Sequence, residues 1–350
     1  MRIGIRKLAL ALTFGATLGA CGAMAIATAG TARAETVLKF SAYFPKDNFL
    51  YVDVFTPMLR EIEEKTNGEI KFEEYPAGAL GKMTEQLDLL RNGLADMSMY
   101  IPSYSKGRFP MAGAGMLPFA FESSTQGTRV LNALVDDYLA KEQKDVKLLF
   151  MFATVPGGFL TNGVAIDSID KLDGLKMRSA GAAATEMLRL GGANIITVPL
   201  PEIYVALERG TVQGTIMDLV TATTYKLHEP ATHFSPVRVS TVVAAIGMNK
   251  RSFGKLTPEQ QKIVMEAAAS AAERTAAAYE RVALEADAIL EKDGVTIVDM
   301  SPAEQERFRA AVVPLWDKWV VDAKEDGIDG EAFMTDFKKA IEANKAPATN

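Results

Sequence analysis

Cysteine is all but absent from this sequence: Cys21 is the only one in 350 residues, and it falls in an N-terminal stretch that reads as removable. The rest of the chain can therefore form no disulfide framework and offers no thiolate chemistry. Histidine is nearly as scarce, with His228 and His233 alone. A basic excess is also lacking. The 38 Lys and Arg residues are outnumbered by 44 Asp and Glu, for a net charge of −6, and there is no Lys/Arg cluster or aromatic RNA-binding motif, so nucleic acid is excluded as a partner. What is present is ordinary folded-protein composition, 48% hydrophobic and 23% charged, in a chain long enough for about two domains.

Residues 1–34 have the order of an export signal. Arg2, Arg6 and Lys7 make a positive start, an apolar run follows from Leu8, and Ala32-Arg33-Ala34 supplies a small-x-small cleavage site before Glu35. Gly, Ala and Thr dominate the second half of the run, which favours cleavage over a membrane anchor. Removal takes four basic and no acidic residues from a chain at −6, leaving an acidic remainder near −10. Leu18-Gly19-Ala20-Cys21 resembles a lipoprotein box, a second route that would tether the protein by lipid at Cys21. The expected location is the periplasm.

Alternation and helical spacing predict strands near 36–42, 70–75 and 96–100, interleaved with helices carrying Val54, Met58 and Ile62 and spanning about 83–91. Pro57 is expected to kink or delay the first helix. A loop rich in Gly, Pro and aromatics (102–118) precedes a helix near 126–139 and a strand at 146–152. A second run of alternating strands and helices begins at 175, with strands at 175–178, 195–198 and 214–217. Beyond strands around 237–248, an Ala-rich helix is predicted from Pro258 to about Glu291, its start marked by the capping box Thr257-Pro258-Glu259-Gln260. Helices near 302–323 and 331–343 close the chain. The class is α/β in two lobes.

Motifs of catalysis fail on spacing. His228 and His233 are five residues apart with Pro230 between them, whereas a zinc helix needs four; they read as surface or loop residues. Met83 stands where a phosphate loop after Gly78 needs Ser or Thr, Gly113-Ala114-Gly115 lacks the third glycine of a dinucleotide fingerprint, and no Gly-x-Ser-x-Gly elbow occurs. No catalytic residue, cofactor or metal ligand is indicated.

Several blocks carry a family resemblance. Residues 67–72 and 75–81, Asn-Gly-Glu-Ile-Lys-Phe and Tyr-Pro-Ala-Gly-Ala-Leu-Gly, resemble the G-x-I/V-x-I/V…P-x-x-x-L-G pattern of the substrate-binding subunits of TRAP transporters. Residues 168–178, ending Gly174-Leu175-Lys176-Met177-Arg178, resemble that family's D-L-K-G-L-K-x-R segment, and 190–194, 201–207 and 210–214 follow at its spacing. The resemblance covers about 38–268. It implies a two-lobed periplasmic-binding-protein-like fold with hinge strands and a long helix bridging both lobes, 35–154 plus about 242–286 forming one and 155–241 plus about 287–350 the other. It also implies a non-enzymatic receptor that captures an organic anion and delivers it to integral-membrane TRAP permease subunits. A signal-coupled ligand sensor and a periplasmic enzyme on a similar scaffold are the rival readings.

In that family the arginine closing the D-L-K-G-L-K-x-R segment meets the ligand carboxylate, a position held here by Arg178. Its planar, permanently charged fork can donate two parallel hydrogen bonds to a carboxylate. The resemblance likewise makes Tyr43 and Tyr100 ligand-facing and puts Leu200 in place of an aromatic lid residue. Met217 replaces an asparagine that touches polar ligands, and Gly157, with Phe159 nearby, stands where sialic-acid-type receptors carry a second arginine. Asp218 and Arg238 are candidate partners for a ligand hydroxyl or amine and for a second negative charge. One cationic anchor and largely apolar walls point to a monocarboxylate with an apolar or aromatic body rather than a dicarboxylate or sugar acid.

Overall fold

In the computed structural model, residues 35–179 and 181–345 are described; the basic and apolar leader, with Cys21, lies outside them. The strands are β1 (Thr36–Ser41), β2 (Ile70–Tyr75), β3 (Met97–Tyr100), β4 (Val146–Ala153), β5 (Gly157–Thr161), β6 (Lys176–Arg178), β7 (Asn194–Ile196), β8 (Gly214–Met217), β9 (His233–Ser240), β10 (Val243–Asn249) and β11 (Thr296–Ile297). The helices are α1 (Thr56–Lys65), α2 (Gln86–Asn92), α3 (Pro110–Ala114), α4 (Ser124–Ala133), α5 (Ala140–Glu142), α6 (Ala182–Leu190), α7 (Ile203–Glu208), α8 (Leu219–Thr224), α9 (Lys250–Lys255), α10 (Pro258–Lys292), α11 (Pro302–Val312), α12 (Leu315–Glu325) and α13 (Gly330–Ala343).

The strands sort into two sheets. One has the order β2-β1-β3-β10-β4, parallel among its first three strands and antiparallel where β10 meets β3 and β4. The other runs β11-β9-β5-β8-β6-β7. The chain passes from the first to the second between β4 and β5 and returns between β9 and β10. These two crossings lie side by side: Thr154 N donates to Val242 O at 2.9 Å, and Val242 N donates to Thr154 Oγ1 at 3.0 Å.

The strand alternation decides which residues fill which layer. In β1, Leu38 and Phe40 point into a core shared with Val54, Phe55, Met58 and Ile62 at the start of the first helical region. Pro57, which can donate no backbone hydrogen bond, lies inside a helical run continuous from 49 to 65, just beyond its π-turn (Tyr51–Phe55). Helix α2 ends at Gly93 with φ 73°, a left-handed cap that glycine adopts without Cβ strain. On the other face of the first sheet, Leu90, Val130 and Leu131 pack with Leu148 and Met151.

Helix α10 is 35 residues long, about 52 Å at 1.5 Å per residue, and it touches α1, α4 and β4 on one side and α8 and β11 on the other. Its buried stripe is mostly alanine, with Ala267, Ala268, Ala271 and Ala276, so it lies close against both layers. The capping box forms as expected: Thr257 Oγ1 accepts from Gln260 N at 3.3 Å, and Gln260 Oε1 accepts from Thr257 N at 3.0 Å.

Several local expectations are revised. Strand β5 was invisible to periodicity because it opens with Gly157 and Gly158. The helix expected at 126–139 breaks at Leu134 and continues as a π-turn, and the one at 302–323 breaks at Val313 and Pro314. His228 is buried rather than superficial, with Nε2 3.1 Å from Asp293 Oδ2. The loop 102–118 is tied down by both tryptophans of the chain, Trp316 Nε1 donating to Pro118 O at 3.0 Å and Trp319 Nε1 to Pro110 O at 3.1 Å. Helix α13 packs on α4, where Gln126 Nε2 donates to Ile341 O at 3.3 Å.

The two glycines of β5 have no room for a side chain. A Cβ at Gly158 would lie 1.9 Å from Ser235 O of β9, so Gly158→Ala is expected to destabilise the protein by at least about 1–3 kcal/mol. Gly254→Ala, in α9 with nothing within 4 Å of its Cβ position, should stabilise by about 0.5–1 kcal/mol. Urea unfolding of both variants checks the contrast.

Candidate ligand-binding site

Arg178 ends β6, with backbone partners in β7 and β8, and only 3% of it is exposed. Its Nε donates to Val198 O at 3.1 Å, and the phenol of Tyr104 lies within electrostatic reach of the guanidinium. No carboxylate among the described residues pairs with it. Burial pulls its pKa below the usual arginine value, and the electron-rich Tyr104 oxygen acts in the opposite direction. The group stays cationic, because arginine does not deprotonate in proteins.

This cation faces a small chamber of about 70 Å³, walled by Tyr43, Phe44, Phe49, Leu50, Met99, Ile101, Tyr104, Phe152, Thr154, Leu200, Met217, Val220, Tyr225, Val242, Ala244 and Tyr279 among others. The walls come from both sheets, from the crossing segments and from α10. Outside it lies a wider cleft of about 1040 Å³ whose rim includes Lys82, Glu202, Arg281 and Glu285. Tyr43, Phe44, Asn48, Phe49, Tyr104, Leu200, Thr224 and Tyr225 line both spaces, so they form the partition between them. Part of that partition is carried by the segment after β1 and part by the turns near α7 and α8.

Of the residues singled out in the sequence, Arg178, Tyr43, Leu200 and Met217 come together here. The other four do not line the chamber. Tyr100 lies in the core on the opposite face of the first sheet, hydrogen-bonded to Gln143 Oε1; the chamber-facing residue of β3 is its neighbour Met99, since successive strand residues point to opposite faces. By the same alternation, Phe159 packs edge-on against Phe308, 5.8 Å between ring centroids, in a different core cluster from Met217. Asp218 is buried, but it caps α8: Oδ1 accepts from Thr221 N at 2.8 Å and Oδ2 from Thr221 Oγ1 at 2.7 Å. Desolvation raises its pKa to about 6 against those hydrogen bonds, which lower it. Arg238 is exposed on β9 at φ 52°.

Gly157 settles the matter of a second arginine by geometry. A Cβ there would meet Met217 C and O at 2.5 Å and Asp218 N at 2.6 Å. No side chain fits while β5 and β8 stay paired.

Residues that sequence reasoning missed are Tyr104, Tyr225, Tyr279, Met99, Phe152 and Thr154. For Tyr279 a signal existed: it is the only aromatic residue in the Ala-rich α10. Its ring is held by Phe49 at 5.1 Å and Phe152 at 5.5 Å. Tyr104 sits in the aromatic-rich loop after β3, but nothing in that loop's composition aims it at Arg178.

Comparison with known proteins agrees with this architecture. The family profile described as bacterial extracellular solute-binding protein, family 7, matches residues 40–322. A solute-binding protein of Albidiferax ferrireducens is 25% identical over 283 residues, covering 78% of this chain and 83% of its own. A marine metagenome TRAP solute-binding protein specific for aromatic acids, solved with 3-hydroxybenzoate, superimposes with a TM-score of 0.84 at 28% identity, covering 89% of this chain and 100% of that one. A TRAP periplasmic solute-binding protein of Bordetella bronchiseptica, solved with (R)- and (S)-mandelate, gives 0.82 at 26% identity, with 89% and 100% coverage. Two sheets joined by paired crossings and one long helix, with an arginine buried at their junction, belong to a chain that is a member of extracellular solute-binding protein family 7, the solute receptors of TRAP transporters.

Proposed function

We propose that this TRAP solute receptor captures a monocarboxylate with an apolar or aromatic body, anchors it on Arg178 and delivers it to a membrane permease. The observation that carries the reading is a guanidinium 3% exposed, facing a chamber of mostly apolar and aromatic walls, with no acidic partner among the described residues. A buried charge of this kind is stabilised by an anion that brings two oxygens in the plane of its fork. The carboxylate-bearing ligands of the mandelate and 3-hydroxybenzoate receptors support the same chemistry. A dicarboxylate would bring a second charge without a second arginine, since Gly157 admits none and Arg238 is on the surface.

In this reading 35–154 with about 242–286 acts as one lobe and 155–241 with about 287–350 as the other, the last helix reaching back to α4. Opening the partition at Tyr43, Leu200 and Tyr225 admits the acid, and closing it removes water from the ion pair, which strengthens it. The work is binding and closure without a covalent step. Export through cleavage after Ala34 places the receptor in the periplasm. Asp218 acts in this reading as the cap that fixes α8 beside the chamber rather than as a ligand contact.

Thermal-shift and calorimetric titration against benzoate, mandelate, phenylacetate, succinate and glucuronate tests the reading. An aryl monocarboxylate at 100 times its Kd should add about 2.7 kcal/mol of stability, and Arg178→Ala should weaken it by roughly 30-fold or more. Tight succinate or glucuronate binding without aryl-acid binding would falsify the ligand class. A second expectation concerns pH. Because the Asp218 pKa is raised on folding, from 3.8 to about 6, stability is greatest below pH 4 for this group and falls as pH rises through 6, by roughly 3 kcal/mol. Asp218→Asn keeps a capping oxygen and should flatten that part of the profile; denaturant titrations at pH 4 and 7.5 compare the two proteins.

A further inference from the structure

The polar groups of the chamber are Arg178, four phenols, and Asn48, Thr154, Thr221 and Thr224; the rest of its walls are apolar. Tyr43 follows β1, Tyr104 ends the 3-10 turn after β3, Tyr225 caps the C-terminus of α8, and Tyr279 stands in the middle of α10. Four separate elements thus aim phenols into one space. Burial raises all four pKa values, Tyr225 to about 12, and the phenols are close enough that Tyr225, Tyr279 and Tyr104 add to the effect on Tyr43. Tyr104 lies within reach of Arg178. The hydroxyls of the half-buried Tyr43 and Tyr225 and of the buried Tyr279 make no hydrogen bond among the described residues, whereas Tyr100 bonds with Gln143 and Tyr51 with Glu74.

Three partnerless hydroxyls in a chamber that also holds Met99, Phe152, Leu200 and Met217 are poorly served by a hydrocarbon ligand, which would desolvate them and return nothing. A ligand oxygen placed among them can accept from one phenol and donate to another. Thr154 offers no substitute, since its Oγ1 donates to Val155 O and accepts from Val242 N.

Resting on the reading of Arg178 as the carboxylate anchor, we infer that the body of the bound acid carries an oxygen substituent, a hydroxyl or a carbonyl, and that Tyr43, Tyr225 and Tyr279 select for it. The class is hydroxylated or oxo aryl monocarboxylates, in which one end is read by charge and the other by neutral hydrogen bonds. Selectivity of this kind is steep, because a parent acid lacking the oxygen leaves the phenols unmatched.

Calorimetric titration of matched pairs tests this: benzoate against 3- and 4-hydroxybenzoate, and phenylacetate against mandelate and phenylglyoxylate. In the wild-type protein the oxygenated member of at least one pair should bind about tenfold more tightly or better, the scale of a hydrogen bond to a group otherwise unsatisfied. In Tyr43→Phe, Tyr225→Phe or Tyr279→Phe, or in the triple variant, the ratio of the two Kd values should fall towards one, with thermal melts reporting that each variant folds. Equal binding within every pair, as expected if retained water satisfies the phenols, overturns the inference. So does a ratio that survives the triple variant. Binding of parent acids alone overturns this inference and leaves the anchor reading standing, whereas failure of every acid to bind overturns both.

Discussion

The structure around the site depends on one unpaired charge held out of water. Arg178 is fixed by its strand position and by Val198 O, with the Tyr104 phenol nearby, and neither neighbour carries a formal charge. Desolvating a guanidinium costs several kcal/mol, and in an ordinary core an acidic side chain offsets that. The rest of the fold tolerates the cost here: two sheets and a helix converge to keep the cation buried and oriented. Such an arrangement leaves the favourable half of an ion pair to be supplied from outside. Any anion that pairs with Arg178 is coupled to local stability through the same guanidinium.

Much of this was legible before any coordinates. The segment 168–178 pointed to Arg178 because its pattern ends on an arginine, and the capping box at Thr257 located the start of the long helix to the residue. Strand faces were less secure. A slip of one residue exchanges the two faces of a strand, which is why Tyr100 was expected in the chamber and Met99 occupies it. Phe159 was misplaced for the same reason. The four phenols were hidden differently: positions 43, 104, 225 and 279 are distant along the chain, and only the pairing order of the strands brings them together. Gly157 carried information that sequence could half read. The missing arginine was visible, but not that the backbone of Met217 and Asp218 forbids any side chain there.

Helix α10 explains how two sheets of different strand order hold a common site. Its alanine stripe lets it lie close to β4 and α4, and Tyr279 projects from that stripe as the one large side chain with a polar tip. A bulky residue on an otherwise small-residue face has a defined place to go. Here that place lies between Phe49 and Phe152, at the wall of the chamber. The helix thus serves as a brace along its length and as part of the chamber wall at one point.

The paired crossings at Thr154 and Val242 lie in the wall of the same chamber. The candidate site thus lies almost on the pivot. Contacts near a pivot exert little torque, but any rotation they permit is magnified with distance. Any rotation about these crossings moves Lys82 and Glu202, at the rim of the wider cleft, further than it moves Arg178.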